Sequence, residues 1–365
     1  MIPYFDYRPE YERLKPDIDA AWSRVLGSGL LVLGPEVAAF EREVAAAVGA
    51  RGGVGVASGT DALILGLRAL GIGAGDEVLT VANAGVPPVA AIRAVGATPR
   101  FVDVRPDTLL IDPQRARDAL TPRTRCVLVV HLYGQPAELD AILAFAGSHG
   151  LAVVEDCAQA QGATYGGRAV GGFGAVGCFS FYPTKIVGAF GDGGLCVTSA
   201  AEVEERLRCL RMYGFRGDRH AHLEGVNSRL DELQAAILRV KLRHLSDTVE
   251  QRRRIARRYR EGLADCACRM VGETPGAEGV HHLFVVRVAE RAAVIAALER
   301  EGVGHGVHYP EPVHLMEAYR FLGHEPGDLP VTERACEEVL SLPIYPGLSE
   351  SAIEQVVRAV RHACR

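Results

Sequence analysis

The first 200 residues alternate short apolar runs with longer amphipathic segments, and this alternation restricts the fold more than any other feature. Continuous apolar runs are typical of strands that are buried on both faces. Seven such runs are predicted strands: Gly53–Ala57, Glu77–Val81, Thr98–Val102, Cys126–Leu132, Leu151–Glu155, Val176–Tyr182 and Gly194–Thr198. Four segments between them are predicted helices: Thr60–Leu70, Pro87–Val95, Asp112–Leu120 and Glu138–His149. The pattern predicts an α/β fold with a mostly parallel, seven-stranded sheet flanked by helices.

The pattern changes near residue 200, where longer charged helices begin. The predicted elements of this part are the helices Ala201–Met212, Ser228–Leu245, Asp247–Leu263, Arg291–Glu301 and Ser349–Ala363 and the strand His282–Val288. A Gly- and Pro-rich loop, Gly302–Pro312, lies among them. This order predicts a smaller α+β domain. We place the boundary near Ser246, with a large domain at 1–246 and a small C-terminal domain at 247–365.

Charge and cysteine content exclude several classes of protein. The 365 residues carry 40 Lys and Arg against 45 Asp and Glu, a net charge of −5, which disfavours a nucleic-acid or anionic-membrane binder. No signal peptide and no membrane-spanning apolar run is found. The nine cysteines are scattered and lack the paired spacing of zinc ligands, so we expect reduced thiols, no metal and a cytoplasmic location.

The segment that links the first strand to the first predicted helix carries small and hydroxyl side chains, in the order Ala-Ser-Gly-Thr-Asp-Ala-Leu. Gly59 and Thr60 stand where the helix begins, and free amides at a helix N-terminus bind anions such as phosphate. Ser58 or Thr60 in this place also caps a helix without any ligand. The segment is therefore either a phosphate site or an ordinary cap.

Two ionisable side chains follow later strands. Asp156 ends the strand that contains Glu155, so its carboxylate is either a helix cap or a partner for a cationic group. Lys185 follows Phe-Ser-Phe-Tyr-Pro-Thr and precedes a glycine-rich turn, whereas a structural lysine normally extends along a polar surface. A lysine in such a pocket can act as an amine nucleophile. Ser180, in the same segment, can add a hydroxyl to a phosphate site.

These groups all lie at carboxyl ends of predicted strands, which meet at one edge of a parallel sheet. A lysine, an acid and two phosphate-binding elements together match the needs of pyridoxal 5'-phosphate. A nicotinamide cofactor would need G-x-G-x-x-G after the first strand, and Gly53–Thr60 does not supply it.

Several motifs occur in the order typical of nucleotide-sugar aminotransferases of the DegT/DnrJ/StrS group, which the chain resembles over almost its whole length. The motifs are Gly-Pro-Glu-Val, Ser-Gly-Thr-Asp-Ala-Leu, Gly-Asp-Glu-Val, His-Leu-Tyr-Gly-Gln, Glu-Asp-Cys-Ala-Gln-Ala, Ser-Phe-Tyr-Pro-Thr-Lys, Gly-Asp-Gly-Gly and Gly-Val-Asn-Ser-Arg-Leu-Asp-Glu-Leu-Gln-Ala. The resemblance implies the aspartate-aminotransferase-like fold of type I, with pyridoxal phosphate bound by the large domain. It also implies a homodimer with composite active sites.

The resemblance assigns roles to individual positions. Lys185 matches the Schiff-base lysine, Asp156 the partner of the pyridine nitrogen, and Gln159 the residue against the cofactor ring. The phosphate cradle matches three residues, Gly59, Thr60 and Ser180, and Asn227 matches the residue that reaches the phosphate from the neighbouring subunit. The residues that match a small-domain loop near the sugar are His308, Tyr309 and His314. The two histidines also fit a role in loop packing.

One position departs from the family pattern. Many members stack an aromatic residue on the cofactor ring after the second strand, and here Gly85 stands at that position. This resembles the branch that acts on 3-keto-6-deoxy sugars. The implied reaction moves the amino group of L-glutamate to a nucleotide-linked, dTDP-type 3-keto-6-deoxyhexose in deoxyaminosugar biosynthesis. The alternatives are a 4-keto sugar or cyclitol aminotransferase, a sugar dehydratase and a non-enzymatic regulator.

Overall fold

The computed structural model describes residues 1–364, and in this range it contains twelve α-helices. They are α1 (Arg8–Ser28), α2 (Pro35–Ala47), α3 (Gly59–Ala69), α4 (Val86–Ala94), α5 (Pro113–Asp118), α6 (Leu139–Ser148), α7 (Ala201–Leu210), α8 (Glu232–Leu242), α9 (Leu245–Gly262), α10 (Arg291–Arg300), α11 (Pro330–Glu338) and α12 (Glu350–Ala363). None of these helices is both long enough and apolar enough to cross a membrane.

Thirteen strands complete the regular structure of the same range. They are β1 (Gly52–Val56), β2 (Glu77–Thr80), β3 (Thr98–Phe101), β4 (Thr124–Val130), β5 (Ala152–Asp156), β6 (Thr164–Tyr165), β7 (Arg168–Ala169), β8 (Val176–Ser180), β9 (Gly194–Thr198), β10 (Arg269–Met270), β11 (Ala277–Glu278), β12 (Phe284–Arg287) and β13 (Val339–Leu342). Three short 3-10 helices lie at Leu132–Gly134, Val313–Leu315 and Glu317–Leu322.

The central sheet has seven strands in the order β1-β9-β8-β5-β4-β2-β3, and β9 alone runs opposite to the other six. The α/β fold with a mostly parallel seven-stranded sheet is therefore confirmed, and its strands are the seven predicted ones. Three boundaries of these strands were wrong by two residues. The run predicted to reach Tyr182 ends at Ser180, because the chain turns there and leaves Tyr182 half exposed. The strand predicted as Cys126–Leu132 begins at Thr124 and ends at Val130.

The register of the sheet sets the position of the candidate site. Val130 of β4 pairs with Asp156 of β5, and Asp156 pairs with Cys178 of β8. Ser180 at the end of β8 is only two residues beyond that pair. Because these strands are parallel, Asp156 and Ser180 lie at the same edge, where ligands of α/β sheets bind.

Two helices that the sequence pattern did not predict precede the sheet. Helix α1 buries Leu14 and Ile18 against α8, in one apolar cluster with Ile237. Helix α2 begins with the Gly-Pro-Glu-Val motif, and the Glu232 carboxylate accepts hydrogen bonds from the amides of Gly34, Glu36 and Val37. Since a helix N-terminus has unpaired amides, this carboxylate holds α2 onto α8.

The helix predicted at Ser228–Leu245 is shorter at both ends in the structure, and the next helix, predicted from Asp247, begins two residues earlier. Helix α8 begins only at Glu232 and ends at Leu242, and α9 begins at Leu245. The predicted domain boundary at Ser246 lies in the first turn of α9. The chain continues through this boundary as a helix.

The last third of the chain, from α9 to α12, has its own apolar cluster and is called the second layer here. A three-stranded sheet, β10-β12-β13, packs with α9, α10 and α12 around Tyr259, Leu298 and Val356. Ile2 also joins this cluster, through a bridge to Val303, although residues 1–246 were assigned to the large domain. The domain division stays a prediction, and Arg365, its last residue, lies outside the described range.

Candidate active site

The N-terminus of α3 lies directly against the end of β8. Ser58 caps the helix, because its Oγ accepts a hydrogen bond from the Asp61 amide at 3.1 Å. A Cβ on Gly59 would lie 2.4 Å from Cβ of Ser180, so only glycine allows this approach. Within residues 1–364, the amides of Gly59 and Thr60 have no acceptor. Capping and phosphate binding therefore do not compete here, since Ser58 caps one amide and two remain free.

The glycine-rich motifs around Lys185 are explained by close backbone approaches. A Cβ on Gly194, in Gly-Asp-Gly-Gly, would lie 2.1 Å from the carbonyl oxygen of Ser58. A Cβ on Gly188 would lie 2.4 Å from the carbonyl oxygen of Pro183. Gly188 therefore lets the turn that carries Lys185 fold tightly on itself, and Gly194 lets the start of β9 pack against the start of α3.

Lys185 has no carboxylate partner in the described chain. Its backbone amide donates to the carbonyl of Tyr182 at 2.9 Å, which fixes the turn after β8. Part of the side chain is exposed, but the amine is deep enough for burial to lower its pKa, and the charge of Asp156 only partly opposes this. Lys241, another buried lysine, is instead paired with Glu10 at 2.8 Å. A buried and unpaired amine is suited to act as a nucleophile and base.

Asp156 is a buried acid with an incomplete set of partners. One carboxylate oxygen accepts a hydrogen bond from the Ala158 amide at 3.0 Å. Burial raises the pKa of Asp156, and the positive charge of Lys185 opposes the rise. No cationic side chain of residues 1–364 forms a hydrogen bond or ion pair with this carboxylate. A cationic ligand nitrogen beside Asp156 would supply the missing partner.

The acid next to it, Glu155, has a structural role. Its carboxylate accepts hydrogen bonds from the amides of Gly171, Phe173 and Gly174 and lies 3.2 Å from Nε2 of His131. These contacts lower the pKa of Glu155 despite its burial, with the hydrogen bond from His131 as the strongest opposing effect. Glu155, His131 and Cys157 are close enough to share a metal, but the carboxylate oxygens already have partners. The cluster is explained without a metal ion.

Gln159 connects the sheet edge to a loop of the second layer. Its Oε1 accepts a hydrogen bond from the Tyr133 amide at 2.6 Å, and its Nε2 lies 3.5 Å from the hydroxyl of Tyr309. The Tyr133 hydroxyl in turn donates to the carbonyl of His308 at 2.7 Å. These bonds hold the His308–Tyr309 segment above the carboxyl ends of β4 and β5.

His308 lies close to Lys185. Its Nδ1 is 2.9 Å from Oγ of Ser341, and its ring stacks on Tyr4 with centroids 5.8 Å apart. Burial, together with the charge of Lys185, lowers the pKa of His308 to about 4. Tyr309 is near enough to Asp156 for that charge to add to burial in raising its pKa. The structure thus brings two of the three predicted loop residues to the candidate site.

The third loop residue and the predicted inter-subunit residue lie elsewhere. His314 is fully buried, its Nε2 is 3.1 Å from Glu333, and its ring packs on Phe101. These contacts favour the packing alternative for His314. Asn227 is exposed on a segment that bridges to Met212, so its contribution to a neighbouring subunit stays a prediction.

His282 also adjoins this site. The sequence pattern predicts only a strand at this position and does not indicate a site residue. Its Nδ1 is buried without a hydrogen-bond partner in the described chain, and its carbonyl accepts from Arg252 at 3.2 Å. Burial and the charge of Lys185 hold the pKa of His282 well below its usual range. The available signal was a pair of histidines directly before an apolar run.

Taken together, these residues fit pyridoxal phosphate. The free amides of Gly59 and Thr60 suit its phosphate, the unpaired carboxylate of Asp156 suits its ring nitrogen, and the unpaired amine of Lys185 suits its aldehyde. The carboxylate of Asp156 and the amine of Lys185 have no partner of opposite charge in the described chain. Packing alone therefore does not explain why both groups lie at this edge of the sheet.

Comparisons with known proteins give a consistent result. Residues 12–361 match the model of the DegT/DnrJ/EryC1/StrS aminotransferase family. The dTDP-3-amino-3,4,6-trideoxy-alpha-D-glucose transaminase of Streptomyces venezuelae is 45% identical over 361 residues, which cover 99% of this chain and 95% of that protein. The dTDP-3-amino-3,6-dideoxy-alpha-D-galactopyranose transaminase of Aneurinibacillus thermoaerophilus is 45% identical over 360 residues, 99% of each chain.

A solved structure is similar over the whole length. The crystal structure of DesV from S. venezuelae superposes with a TM-score of 0.98 at 46% sequence identity, covering 100% of this chain and 99% of that one. The two folds are thus the same over essentially the whole length of both chains.

Proposed function

Because the chain belongs to the DegT/DnrJ/EryC1/StrS aminotransferase family, we propose that it aminates a dTDP-linked 3-keto-6-deoxyhexose with L-glutamate as donor. Members of this family are sugar aminotransferases that use pyridoxal phosphate. The observation that carries the proposal is that the amine of Lys185, which is partly buried, and the buried carboxylate of Asp156 lie at the carboxyl edge of the sheet without a partner of opposite charge. The product is the corresponding 3-amino sugar.

The choice of a 3-keto sugar is supported by the relatives. Two transaminases that share 45% identity with this chain over 99% of its length are named for 3-amino products on dTDP. Gly85, in place of an aromatic residue after the second strand, is a further feature that fits the same branch. A 4-keto sugar is the alternative that the substrate test below decides.

Each side chain has a distinct task in this proposal. When bound, pyridoxal phosphate supplies an aldehyde that accepts an amino group and a ring that withdraws electrons from the neighbouring carbon. Asp156 accepts the hydrogen bond of the ring N–H and keeps that nitrogen protonated. Nζ of Lys185, whose pKa is lowered by burial, is free of a proton at neutral pH more often than an exposed amine. It therefore takes a proton from the donor carbon and returns one to the sugar carbon.

The phosphate end positions these groups. The amides of Gly59 and Thr60, the dipole of α3 and the hydroxyl of Ser180 bind the phosphate, while Gln159 lies against the ring. We place Asn227 of a neighbouring subunit near the same phosphate, which makes the homodimer the working unit. The exposure of Asn227 in one subunit is consistent with this arrangement.

Spectroscopy and product analysis test the proposal. The purified protein should be yellow, L-glutamate should bleach the colour, and 2-oxoglutarate should form in equal amount to the bleached cofactor. A protein that takes up no pyridoxal phosphate would overturn the proposed function. The bleached enzyme is then mixed with dTDP-linked 3-keto and 4-keto deoxysugars, and the colour should return only with the 3-keto compound. Return only with the 4-keto sugar would replace the proposed substrate.

A further inference from the structure

Tyr309 lies on Gly85, although the two residues come from different layers of the molecule. An ideal Cβ on Gly85 would lie 3.0, 3.1 and 3.2 Å from Cζ, Cε1 and Cε2 of the Tyr309 ring. The hydroxyl oxygen is not among the three nearest atoms, so the approach is to the ring face and not to its rim. The ring therefore covers the space that a side chain at position 85 would occupy.

The backbone of Gly85 is adapted to this contact. Its φ of 78° and ψ of −174° lie in a region that essentially only glycine adopts, and it caps the start of α4. Any larger residue at this position would meet the Tyr309 ring as well as an unfavourable backbone conformation. The loop and the glycine thus form one unit.

The position of the Tyr309 ring is further fixed by two hydrogen bonds. Its hydroxyl lies 3.5 Å from Nε2 of Gln159, and the carbonyl of the preceding residue, His308, accepts a bond from Tyr133 at 2.7 Å. The charge of Asp156 adds to burial in raising the pKa of the Tyr309 hydroxyl. One ring face thus lies on Gly85, and the hydroxyl end of the ring lies beside Gln159, the residue assigned to the cofactor ring.

From this geometry we propose that the Gly85–Tyr309 pair forms a wall of the cofactor site, with the face of Tyr309 opposite Gly85 stacked against the pyridine ring. The proposal rests on the proposed function and changes the role of Tyr309 from a sugar-loop residue to a cofactor-contacting one. An aromatic face supplied by the small-domain loop takes the place of an aromatic side chain at position 85.

The proposed contact between Tyr309 and the cofactor is tested by cofactor binding to the apoprotein. Binding is measured by equilibrium titration and by visible circular dichroism of the bound cofactor. Stacked aromatic pairs contribute about 0.5–1.5 kcal/mol beyond area burial, so Tyr309→Ala should weaken pyridoxal phosphate binding up to about tenfold. Its visible dichroism should also change, because the ring loses an asymmetric neighbour. Tyr309→Phe keeps the face and should stay within about threefold of the wild type.

A double-mutant cycle tests the contact between the pair. Gly85→Ala should weaken binding by displacing the Tyr309 ring, whereas adding Gly85→Ala to Tyr309→Ala should have little further effect. Gly71→Ala is the matched control for backbone strain, since Gly71 has φ of 77° and no atom within 4 Å of its Cβ position. It should leave cofactor binding unchanged.

The outcomes separate this inference from the proposed function. If the wild type takes up no pyridoxal phosphate, the function itself is wrong. If the wild type binds the cofactor and Tyr309→Ala binds it equally tightly with the same dichroism, only the wall is wrong. Additive losses in the cycle would show that Gly85 and Tyr309 act separately. Should Gly85→Ala fail to fold, the comparison of Tyr309→Ala with Tyr309→Phe still decides the proposal.

Discussion

The site has two sides that differ in how they are built. On the sheet side, Asp156 ends β5 and Lys185 lies in the turn after β8, and close approaches that leave no room for a Cβ on Gly59, Gly188 and Gly194 fix the backbone around them. On the loop side, His308 and Tyr309 stand far from any strand end and are held by single hydrogen bonds from Tyr133, Gln159 and Ser341. The difference predicts that the sheet side supplies the chemistry, while the loop side adjusts cofactor and substrate.

The largest expected effect comes from comparing two lysines, Lys185 and Lys241. Lys185→Ala should reduce turnover about 10⁴-fold, because the proposed nucleophile and base is removed. Lys241→Ala is the matched control: its amine is paired with Glu10, so this variant should lose stability but keep turnover per folded active site. The measurement is release of 2-oxoglutarate from L-glutamate, normalised to folded protein. Substantial turnover by Lys185→Ala would show that the sheet side does not supply the catalytic base.

Two adjacent acids at the end of β5, Glu155 and Asp156, allow a second comparison between a catalytic and a structural role. Asp156→Asn keeps the shape of the side chain but removes its charge, and the loss of one partner of a buried pair costs about 3–5 kcal/mol. If this loss falls on the transition state, turnover should fall about 10²- to 10⁴-fold. Glu155→Gln should instead lower the unfolding free energy by about 1–3 kcal/mol, since Glu155 binds three backbone amides. Equal effects of the two variants on turnover and on urea unfolding would contradict this division.

The same contrast explains what could be predicted from the sequence. The seven strands, Lys185 and Asp156 were found because apolar runs and the residues that end them are local signals. Helix α1 escaped detection because its buried residues, such as Leu14 and Ile18, are recognisable only through their contact with α8. The break before α9 was predicted at Ser246, and the structure has it at Arg243 and His244, because no residue in the charged segment marks the exact position.

Other site features depend on contacts between distant parts of the chain. Gly85 was read as a missing aromatic residue, and only the structure shows the Tyr309 ring in that space. His282 was predicted only as part of a strand. Its position close to Lys185 could not be predicted, because it results from the packing of the second layer onto the first. His314 was placed near the sugar by resemblance, whereas its side chain is enclosed with Glu333.

A third experiment tests how tightly the sheet side is packed. In Gly59→Ala the added Cβ would overlap Ser180, so we expect a loss of about 1–3 kcal/mol in unfolding free energy. Displacement of the α3 N-terminus should also weaken cofactor binding. Gly27→Ala is the matched control, because Gly27 lies in α1 with no atom near its Cβ position, and alanine should stabilise that helix by about 0.5–1 kcal/mol. Thermal unfolding measures the change in stability, and cofactor titration measures the change in binding. If Gly59→Ala matched the wild type in both, Gly59 and Ser180 would be less tightly packed than the structure indicates.

The smallest expected effect is on the loop side and depends on pH. Because the pKa of His308 falls from about 6.5 to about 4 on folding, the folded state holds this imidazole neutral. The unfolded chain binds an extra proton between these values, so the contribution to stability is complete above about pH 6.5 and is lost as the pH falls towards 4. His308→Gln should reduce the slope of unfolding free energy in this range by up to about 1.4 kcal/mol per pH unit.

Urea unfolding of the apoprotein from pH 7 to pH 4.5 measures this slope. Tyr309→Phe is the matched control, because it changes a polar atom of the same loop and leaves the imidazole of His308 in place. The slope of this control should equal that of the wild type, whatever its absolute stability. A His308→Gln variant with an unchanged slope would mean that the imidazole is solvated in solution. The loop would then lie farther from Lys185 than its contacts with Tyr133 and Ser341 require.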